Sequence, residues 1–359
     1  MHIDPVLYME WAKLKTHAKI NLSRSGLADR SLADLGIDRQ DLEINGEHPY
    51  GYPPLIEAIA ARYRVEERNV LPVNGASQGI FYAAAALLEP GDEVLVEQPA
   101  YEPLLAVPRF FRAEVKRFAR RFEDGYSIDL DKFRSALTTR TKLVVLTNLH
   151  NPSGAFLDDR SLLELAAAAS EKGAMVFVDE IYLEFLEEKE EPATSFHLAE
   201  NLVVTSSLTK VYGLGGLRCG WILAPESLIG QMRRLMDLLS VEGVYFGEQV
   251  SALAFSRLDS LRAQSRPLIE GNFGLVRDFV DAEKKLSWIE PAAGIVGFPR
   301  LEAGLDGTRL ARILREDYDT SIVPGHFFEE PQHFRLGFGV PAEELKRGLE
   351  NIRRALEPY

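Results

Sequence analysis

The sequence lacks the features that would place the chain outside the cell, in a membrane or on nucleic acid. It has one cysteine, Cys219, among 359 residues, so an intramolecular disulfide is excluded and a reducing, cytoplasmic location is expected. The net charge of −13 argues against binding to phosphate backbones or anionic membranes. The first residues lack a basic region followed by an apolar core, so no signal peptide is expected. The longest apolar stretches, such as residues 81–88, are too short to span a bilayer.

Metal-ligand patterns, repeats and low-complexity tracts are also missing. His326 and His333 lie seven residues apart around acids and a proline, which predicts structural or surface roles and no metal site. The acidic run at 187–191 is interpreted as a solvated face. The same interpretation applies to the basic cluster Arg109, Arg112, Lys116, Arg117, Arg120 and Arg121. The remaining composition, 46% hydrophobic and 26% charged, is typical of a globular protein, and at this length two domains are expected.

Short β-rich runs alternate with helical patterns through most of the chain. The predicted strands are 69–73, 93–97, 143–147, 175–179, 202–205 and 221–223, and the predicted helices are 55–63, 75–88, 161–172 and 227–240. This alternation favours an α/β domain with a mostly parallel central sheet flanked by helices. After about residue 271 the pattern changes, with a strand at 334–337 and an amphipathic helix at 341–356, which predicts a smaller α+β domain. The predicted division is a large domain at 41–265 and a small domain at 266–359, with residues 1–40 packing on the small domain.

The most informative stretch is 206–220, which places Lys210 in a small-residue loop after a predicted strand. Hydroxyl residues precede this lysine, and glycines and Arg218 follow it, so the lysine can be held against a flat ligand. A nearby arginine can hold a dianion and disfavour a second positive charge on the amine. A neutral lysine amine attacks an aldehyde to form a Schiff base, and the cofactor that joins an aldehyde to a phosphate is pyridoxal 5′-phosphate (PLP). For this segment alone, a solvated surface loop is the alternative.

Polar groups also stand at the ends of other predicted strands, where ligands bind in open parallel sheets. Ala76, Ser77 and Gln78 lie between a strand and a helix, where backbone N–H groups and the helix dipole suit a phosphate. A plain helix N-cap by Ser77 is the alternative. Tyr101 follows the next strand and can stack on a planar ring, although an ordinary core tyrosine explains it too.

The third and fourth segments follow the next two strands. Asn151 lies in an Asn-Pro-Ser-Gly turn, and its amide can donate to a ring oxygen, although turn chemistry explains the segment about as well. Asp179 ends an apolar strand, where an acid is costly unless it is paired. Facing a pyridine nitrogen, it would keep that nitrogen protonated and make the ring an electron sink. Tyr182 can then reach the phenolic oxygen of the same ring, whereas a helix cap or a local salt bridge is the alternative for Asp179.

Taken in their order along the chain, these segments resemble those of the class I and II aminotransferases, which are fold-type I enzymes that use PLP. The resemblance runs from about residue 50 to 220 and continues more diffusely to Arg335. It implies that Lys210 carries the Schiff base and shuttles a proton and that Asp179 pairs with the pyridinium nitrogen. The other implied cofactor contacts are Asn151 and Tyr182 at the phenolic oxygen, Tyr101 on the ring face, and Ala76, Ser77, Gln78, Ser207 and Arg218 at the phosphate.

The resemblance also implies how the substrate is held and how the subunits assemble. Arg335 would clamp the substrate carboxylate, because a planar guanidinium matches it bidentately, although a surface arginine on an edge strand is the alternative. Asn151 and the backbone of Gly26 would meet the same carboxylate. Tyr50 or Tyr52, of which Tyr50 fits better, would reach the phosphate bound by a neighbouring subunit. The resemblance therefore implies a homodimer with its active site at the subunit interface.

Amino-group transfer from an α-amino acid to a 2-oxo acid is the function that the resemblance implies. The same residues serve β-elimination at a C–S bond, decarboxylation and racemisation, so a lyase or decarboxylase is an alternative. A ligand-sensing regulator is more distant, because residues 1–49 are few for a DNA-binding segment and the charge is acidic. Residues 213–216 are not a dinucleotide fingerprint, because their glycine spacing and position do not fit one. The sequence does not select the donor or the acceptor.

Overall fold

Helices and strands alternate along most of the chain in this computed structural model, which describes residues 3–186, 194–302 and 304–358. The acidic run predicted to be a solvated face, 187–191, lies outside these described residues. The α-helices are α1 (Leu7–Leu14), α2 (Pro53–Tyr63), α3 (Ala76–Leu87), α4 (Pro103–Phe110), α5 (Leu130–Ala136), α6 (Asp159–Ser170), α7 (Glu226–Leu239), α8 (Tyr245–Phe255), α9 (Leu258–Ala282), α10 (Gly307–Tyr318) and α11 (Ala342–Leu356). The strands are β1 (Ile20–Asn21), β2 (Val70–Asn74), β3 (Glu93–Gln98), β4 (Glu114–Ala119), β5 (Thr141–Thr147), β6 (Met175–Asp179), β7 (Leu202–Ser207), β8 (Cys219–Leu223), β9 (Leu286–Ser287), β10 (Val296–Gly297), β11 (Arg300–Leu301), β12 (Thr320–Ser321), β13 (Val323–Pro324) and β14 (Phe334–Gly337).

A seven-stranded sheet with the order β2-β8-β7-β6-β5-β3-β4 forms the centre of the molecule. β8 pairs antiparallel with β2 and β7, and the other neighbouring pairs are parallel. Consecutive residues of β5, Val144 and Val145, are both buried but belong to apolar clusters on opposite faces. Burial on both faces is typical of a parallel sheet covered by helices on each side. The predicted α/β class with a mostly parallel central sheet is confirmed.

Local sequence signals explain where the helices flanking this sheet begin and which face they bury. The Asp158 side chain accepts a hydrogen bond from Ser161 N at 2.7 Å and so caps the start of α6. The last helix, α11, buries Leu345, Leu349 and Ile352, a spacing of four and three residues that gives one apolar face. Within the described ranges no helix is long and apolar enough to cross a bilayer.

The N-terminal residues pack against the C-terminal part of the chain. β1 pairs in parallel with β12, and Gly337 N donates to Leu22 O at 2.7 Å. β14 lies between β10 and β13 in a separate three-stranded antiparallel sheet. A single helix, α9, runs through the boundary expected at 265/266. The division at 1–40, 41–265 and 266–359 stays a prediction.

The prediction that the basic cluster is a solvated face is wrong for Arg120, which is buried. Arg120 is 1% exposed, its Nη1 donates to Glu97 Oε2 at 2.9 Å and its Nε donates to Tyr126 O at 2.7 Å. The same carboxylate accepts from Thr147 N and Thr147 Oγ1, each at 2.7 Å. Glu97 lies near the end of the neighbouring strand β3, so the arginine is buried with an acid that the local pattern does not reveal. Arg109, Arg112 and Arg121 are exposed, as predicted.

Candidate active site

A cavity of about 870 Å³ lies at the carboxyl ends of the parallel strands of the central sheet. This volume is within the range of small-molecule sites. Eleven of the thirteen predicted site residues line it: Gly26, Ala76, Ser77, Tyr101, Asn151, Asp179, Tyr182, Ser207, Lys210, Arg218 and Arg335. The order of the strands therefore brings residues that are distant in sequence to one place, as expected for an open parallel sheet.

Asp179 supplies a buried carboxylate to the cavity. It ends β6, is 4% exposed, and its Oδ1 accepts from Ile181 N at 3.1 Å. Burial raises the pKa of Asp179 to about 7, although the Ile181 hydrogen bond and the charge of Lys210 act in the opposite direction. A positively charged ring nitrogen would compensate this carboxylate when it is ionised.

Lys210 presents its amine to the same cavity from the loop after β7. Its Nζ donates to Ser25 Oγ at 2.9 Å. Burial, followed by the charges of Arg335 and Arg218, lowers the pKa of Lys210 to about 8, although the charge of Asp179 acts in the opposite direction. A substantial fraction of the amine is therefore neutral near pH 8, which is the form that attacks an aldehyde.

An anion site lies where α3 begins. Ala76 and Ser77 form the first turn of this helix, where backbone N–H groups point toward a ligand. The backbone of Gly75 has a φ of +79°, and a Cβ there would lie 2.4 Å from Nη2 of Arg218. Glycine is therefore required for the guanidinium to lie beside the helix end. Together with Ser207, these groups suit a phosphate dianion.

Gln78 was expected at this anion site, but its side chain lies elsewhere. Its Oε1 accepts from Asn74 N at 2.6 Å and its Nε2 donates to Tyr82 OH at 3.1 Å. The amide of Gln78 therefore stabilises the strand-to-helix turn and does not line the cavity. A glutamine in the first turn of a helix can face a ligand, or it can hydrogen-bond to the backbone before the helix. The sequence alone does not distinguish these two conformations.

Arg335 provides a second, buried cation to the cavity. It lies in β14 and is 1% exposed, so the alternative of a surface arginine is wrong. Its Nη1 donates to Asn151 Oδ1 at 3.0 Å, and its Nη2 donates to Tyr8 OH at 2.8 Å and to Ser23 O at 3.3 Å. Among the described residues its Nε has no hydrogen-bond partner. A buried guanidinium held by neutral groups is suited to a carboxylate ligand.

Two residues that shape this site were missed in the sequence: Tyr8 lines the cavity, and Glu102 contacts the helix that carries Tyr8. Tyr8 in α1 accepts from Arg335 and packs edge-to-face on Tyr101 with ring centroids 5.6 Å apart. Glu102 holds α1 in place, because its carboxylate accepts from Leu7 N at 3.1 Å and Tyr8 N at 2.5 Å. Because Glu102 lies 94 residues from Tyr8, the sequence around α1 contains no sign of this contact.

Ser25 is a third missed residue. Besides accepting from Lys210, it forms a side-chain hydrogen bond with Tyr182. Burial raises the pKa of Tyr182 to about 12, so its hydroxyl stays protonated at neutral pH. Ser25 directly precedes Gly26, a predicted site residue, and this position is the signal that the sequence offers for it.

Tyr50 and Tyr52 do not line the cavity of their own chain. Tyr50 OH donates to Asp237 Oδ2 at 3.3 Å. Tyr52 packs edge-to-face on Tyr245 with centroids 5.3 Å apart, and its N donates to Glu248 Oε2 at 2.7 Å. Their placement is compatible with a role in a neighbouring subunit, and that role stays a prediction.

The groups in the cavity fit PLP in three respects. Lys210 offers an amine of lowered pKa to an aldehyde, Asp179 offers a buried carboxylate to a pyridine nitrogen, and Arg218 beside the start of α3 offers a phosphate site. A mostly parallel sheet with these groups at the carboxyl ends of its strands defines a PLP-dependent enzyme of fold type I.

Comparisons with known proteins agree with this class. The profile of the family described as aminotransferase class I and II matches residues 38–352. Capreomycidine synthase of Streptomyces vinaceus is 31% identical over 350 residues, covering 94% of this chain and 90% of that protein. A PLP-dependent aminotransferase from Streptococcus suis has a TM-score of 0.93 at 26% identity, covering 100% of this chain and 99% of that one. The PLP-dependent cyclase OrfR has a TM-score of 0.89 at 27% identity, covering 100% and 98%.

The chain belongs to the family of class I and II aminotransferases, because the family profile covers most of its length. PLP is its cofactor.

Proposed function

We propose that this enzyme transfers the amino group of an α-amino acid to a 2-oxo acid. The observation that carries the proposal is the placement of Lys210, Asp179 and Arg335 around one cavity. PLP, when bound, supplies an electron sink that weakens the bonds at the substrate Cα. Lys210 would hold the cofactor covalently, Asp179 would hold its ring nitrogen, and Arg218 with the start of α3 would hold its phosphate.

Orientation of the substrate is the task that we assign to Arg335. Its guanidinium is fixed by Tyr8, Ser23 and Asn151, so a bound carboxylate takes a defined position. That position decides which bond at Cα is held perpendicular to the cofactor ring. A Cβ on Gly26 would lie 3.4 Å from Lys210 Cδ and from Thr209 O, which is an ordinary van der Waals contact, so this glycine lies directly beside the reactive lysine.

Proton transfer at Cα is assigned to Lys210. Its Nζ, when neutral, takes the proton from Cα, and as an ammonium it gives a proton back. A pKa of about 8 allows both roles near neutral pH, because each protonation state is populated there. Tyr182, whose pKa is raised to about 12, acts as a hydrogen-bond donor in the same pH range.

A panel of amino donors, monitored by the visible absorbance of the bound cofactor, tests the proposal. Amino transfer predicts that pyridoxamine phosphate accumulates while a 2-oxo acid is released. Lys210→Ala should abolish this half-reaction, whereas Lys172→Ala, an exposed lysine just after α6, should leave it intact. A Lys210→Ala protein that transfers amino groups at the normal rate would refute the proposal.

A cyclisation is the second candidate, and the similarity to capreomycidine synthase and to the cyclase OrfR favours it. Such a reaction would use the same cofactor, but the product would keep its α-amino nitrogen. The donor panel separates the candidates, because a cyclase forms product without pyridoxamine phosphate accumulation. Release of ammonia, sulfide or carbon dioxide would instead indicate a lyase or a decarboxylase.

We propose further that the enzyme is a homodimer in which Tyr50 reaches the neighbouring subunit's phosphate site. Residues near Tyr50 carry exposed apolar side chains, namely Ile44, Leu238, Val241, Val244 and Phe246. The segments that carry them contact each other, since Glu43 N donates to Gln249 Oε1 at 2.9 Å. An exposed apolar surface of this kind supports a subunit interface.

The buried single cysteine, Cys219, suits the reducing cytoplasm that we propose as the location.

A further inference from the structure

A buried carboxylate lies behind the cavity, outside the set of groups assigned above. Glu184 is 5% exposed and lies in the short 3-10 helix Leu183–Phe185. It accepts hydrogen bonds from Tyr63 OH and Tyr212 OH. Arg62 donates to it through Nε at 3.2 Å and Nη2 at 3.1 Å. None of these four residues is among those that line the cavity.

The cluster joins three parts of the chain that surround the site. Tyr212 lies two residues after Lys210 on the same loop, and Glu184 lies two residues after Tyr182. Arg62 and Tyr63 form the end of α2, and both donate to Glu184 from outside the set of residues that line the cavity. The carboxylate is therefore a direct link between the loop of the reactive lysine and the loop of Tyr182.

The Tyr212 hydroxyl and the Glu184 carboxylate each contact Arg62 as well as each other. Arg62 donates through Nη2 to Tyr212 OH at 2.9 Å, so the tyrosine hydroxyl is held by a cation and an anion together. The charge of Glu184 is compensated by Arg62, whose side chain is 8% exposed. A buried pair with its remaining hydrogen-bonding groups satisfied is rigid, because any displacement leaves a buried charge without a partner.

We propose that Glu184 is a positioning residue that, through Tyr212, fixes the Lys210 loop relative to Asp179 and Tyr182. The consequence is that the amine of Lys210 is held at a defined place among Asp179, Arg335 and Arg218. The kinetic part of this inference depends on the proposed function, whereas the placement of Lys210 does not.

The test compares two variants that each remove one hydrogen bond to the same carboxylate. Tyr212→Phe keeps the buried ring and removes the link to the Lys210 loop, whereas Tyr63→Phe removes a bond from α2 and leaves that link in place. We expect kcat of Tyr212→Phe to fall roughly 10- to 100-fold with KM unchanged, because small misplacements of a catalytic group cost this much. The pH midpoint of the visible absorbance of the bound cofactor should shift in Tyr212→Phe. Tyr63→Phe should match the wild type in both measurements, although both variants lower the urea midpoint of unfolding.

Equal effects of the two variants on kcat and on the absorbance midpoint, or no effect of either, would overturn the proposal and leave a structural role only. The absorbance titration needs bound cofactor but no amino transfer, so it remains decisive if the wild type fails to transaminate. If Tyr212→Phe does not fold, Glu184→Gln takes its place. An unshifted midpoint in Glu184→Gln would then overturn the proposal.

Discussion

Two opposite pKa shifts at single residues prepare the cavity for its cofactor. Burial raises the pKa of Asp179 to about 7 and lowers that of Lys210 to about 8. Asp179 therefore contributes stability that is complete below its ordinary pKa of 3.8 and is lost as the pH rises through about 7. Lys210 contributes stability that is present above its ordinary pKa of 10.5 and is lost as the pH falls through about 8. A cationic ring nitrogen beside Asp179 would relieve the first cost.

The lowered pKa of Lys210 predicts how the cofactor-free enzyme takes up PLP. The rate of covalent attachment should rise as the pH increases through about 8 and then become constant, because only the neutral amine reacts. Stopped-flow measurement of the visible absorbance at a series of pH values gives this midpoint. Arg335→Met removes a nearby positive charge, so its midpoint should lie at higher pH. A wild-type midpoint near 10.5, the ordinary value for lysine, would contradict the prediction.

The fixed guanidinium of Arg335 predicts a specific kinetic loss in Arg335→Lys. Lysine cannot bind a carboxylate bidentately or keep the bonds to Asn151 and Tyr8 together. Losing one member of a buried charged contact costs about 2–5 kcal/mol, so kcat/KM for the amino donor should fall by roughly 10²-fold or more. Steady-state kinetics measures the loss, and the exposed Arg160→Lys serves as control. An Arg335→Lys enzyme with the kcat/KM of the control would exclude Arg335 from substrate binding.

Among the elements, those bounded by local signals could be predicted from the sequence. The bounds of β6 and β14 agree with prediction at both ends, because the apolar run of β6 stops at Asp179 and β14 stops at Gly337. β4 and the packing of α1 on the site could not be predicted. Arg120, the residue after β4, and Tyr8 in α1 are held by partners 23 and 94 residues away. Local periodicity carries no information about such partners.

The pairing that buries Arg120 predicts a large effect on stability. Arg120→Met leaves Glu97 buried without its cation, which should lower the free energy of unfolding by about 3–5 kcal/mol. The double variant Arg120→Met with Glu97→Gln should recover much of this loss, because no buried charge remains. Urea denaturation of the PLP-loaded enzyme measures both. Arg121→Met, at an exposed neighbouring residue, should stay within about 0.5 kcal/mol of the wild type. Equal stability of Arg120→Met and Arg121→Met would show that the ion pair is not important.

On the scale of the whole molecule, the proposed dimer determines whether each site is complete. Tyr50 lies outside the cavity of its own chain, so a phosphate contact from it has to be made in a neighbouring subunit. Sedimentation should therefore show a particle with the mass of a dimer.

Mixing of variants tests this shared site. Lys210→Ala and Tyr50→Ala should each be poorly active alone, the first for lack of the amine and the second through weakened PLP binding. Refolded together, they should regain part of the activity, because a mixed dimer contains one site with both residues intact. Two Lys210→Ala subunits refolded together provide the control. No recovery in the mixture, or a monomer in sedimentation, would contradict a site shared between subunits.

Covalent attachment of PLP to Lys210 is the central claim, and it is measured most directly by borohydride reduction of the loaded enzyme followed by peptide mass spectrometry. The phosphopyridoxyl group should be recovered on the peptide that contains Lys210, and Lys210→Ala should carry none. Recovery of the group on another lysine, or an unlabelled protein that is still fully active, would contradict attachment at Lys210.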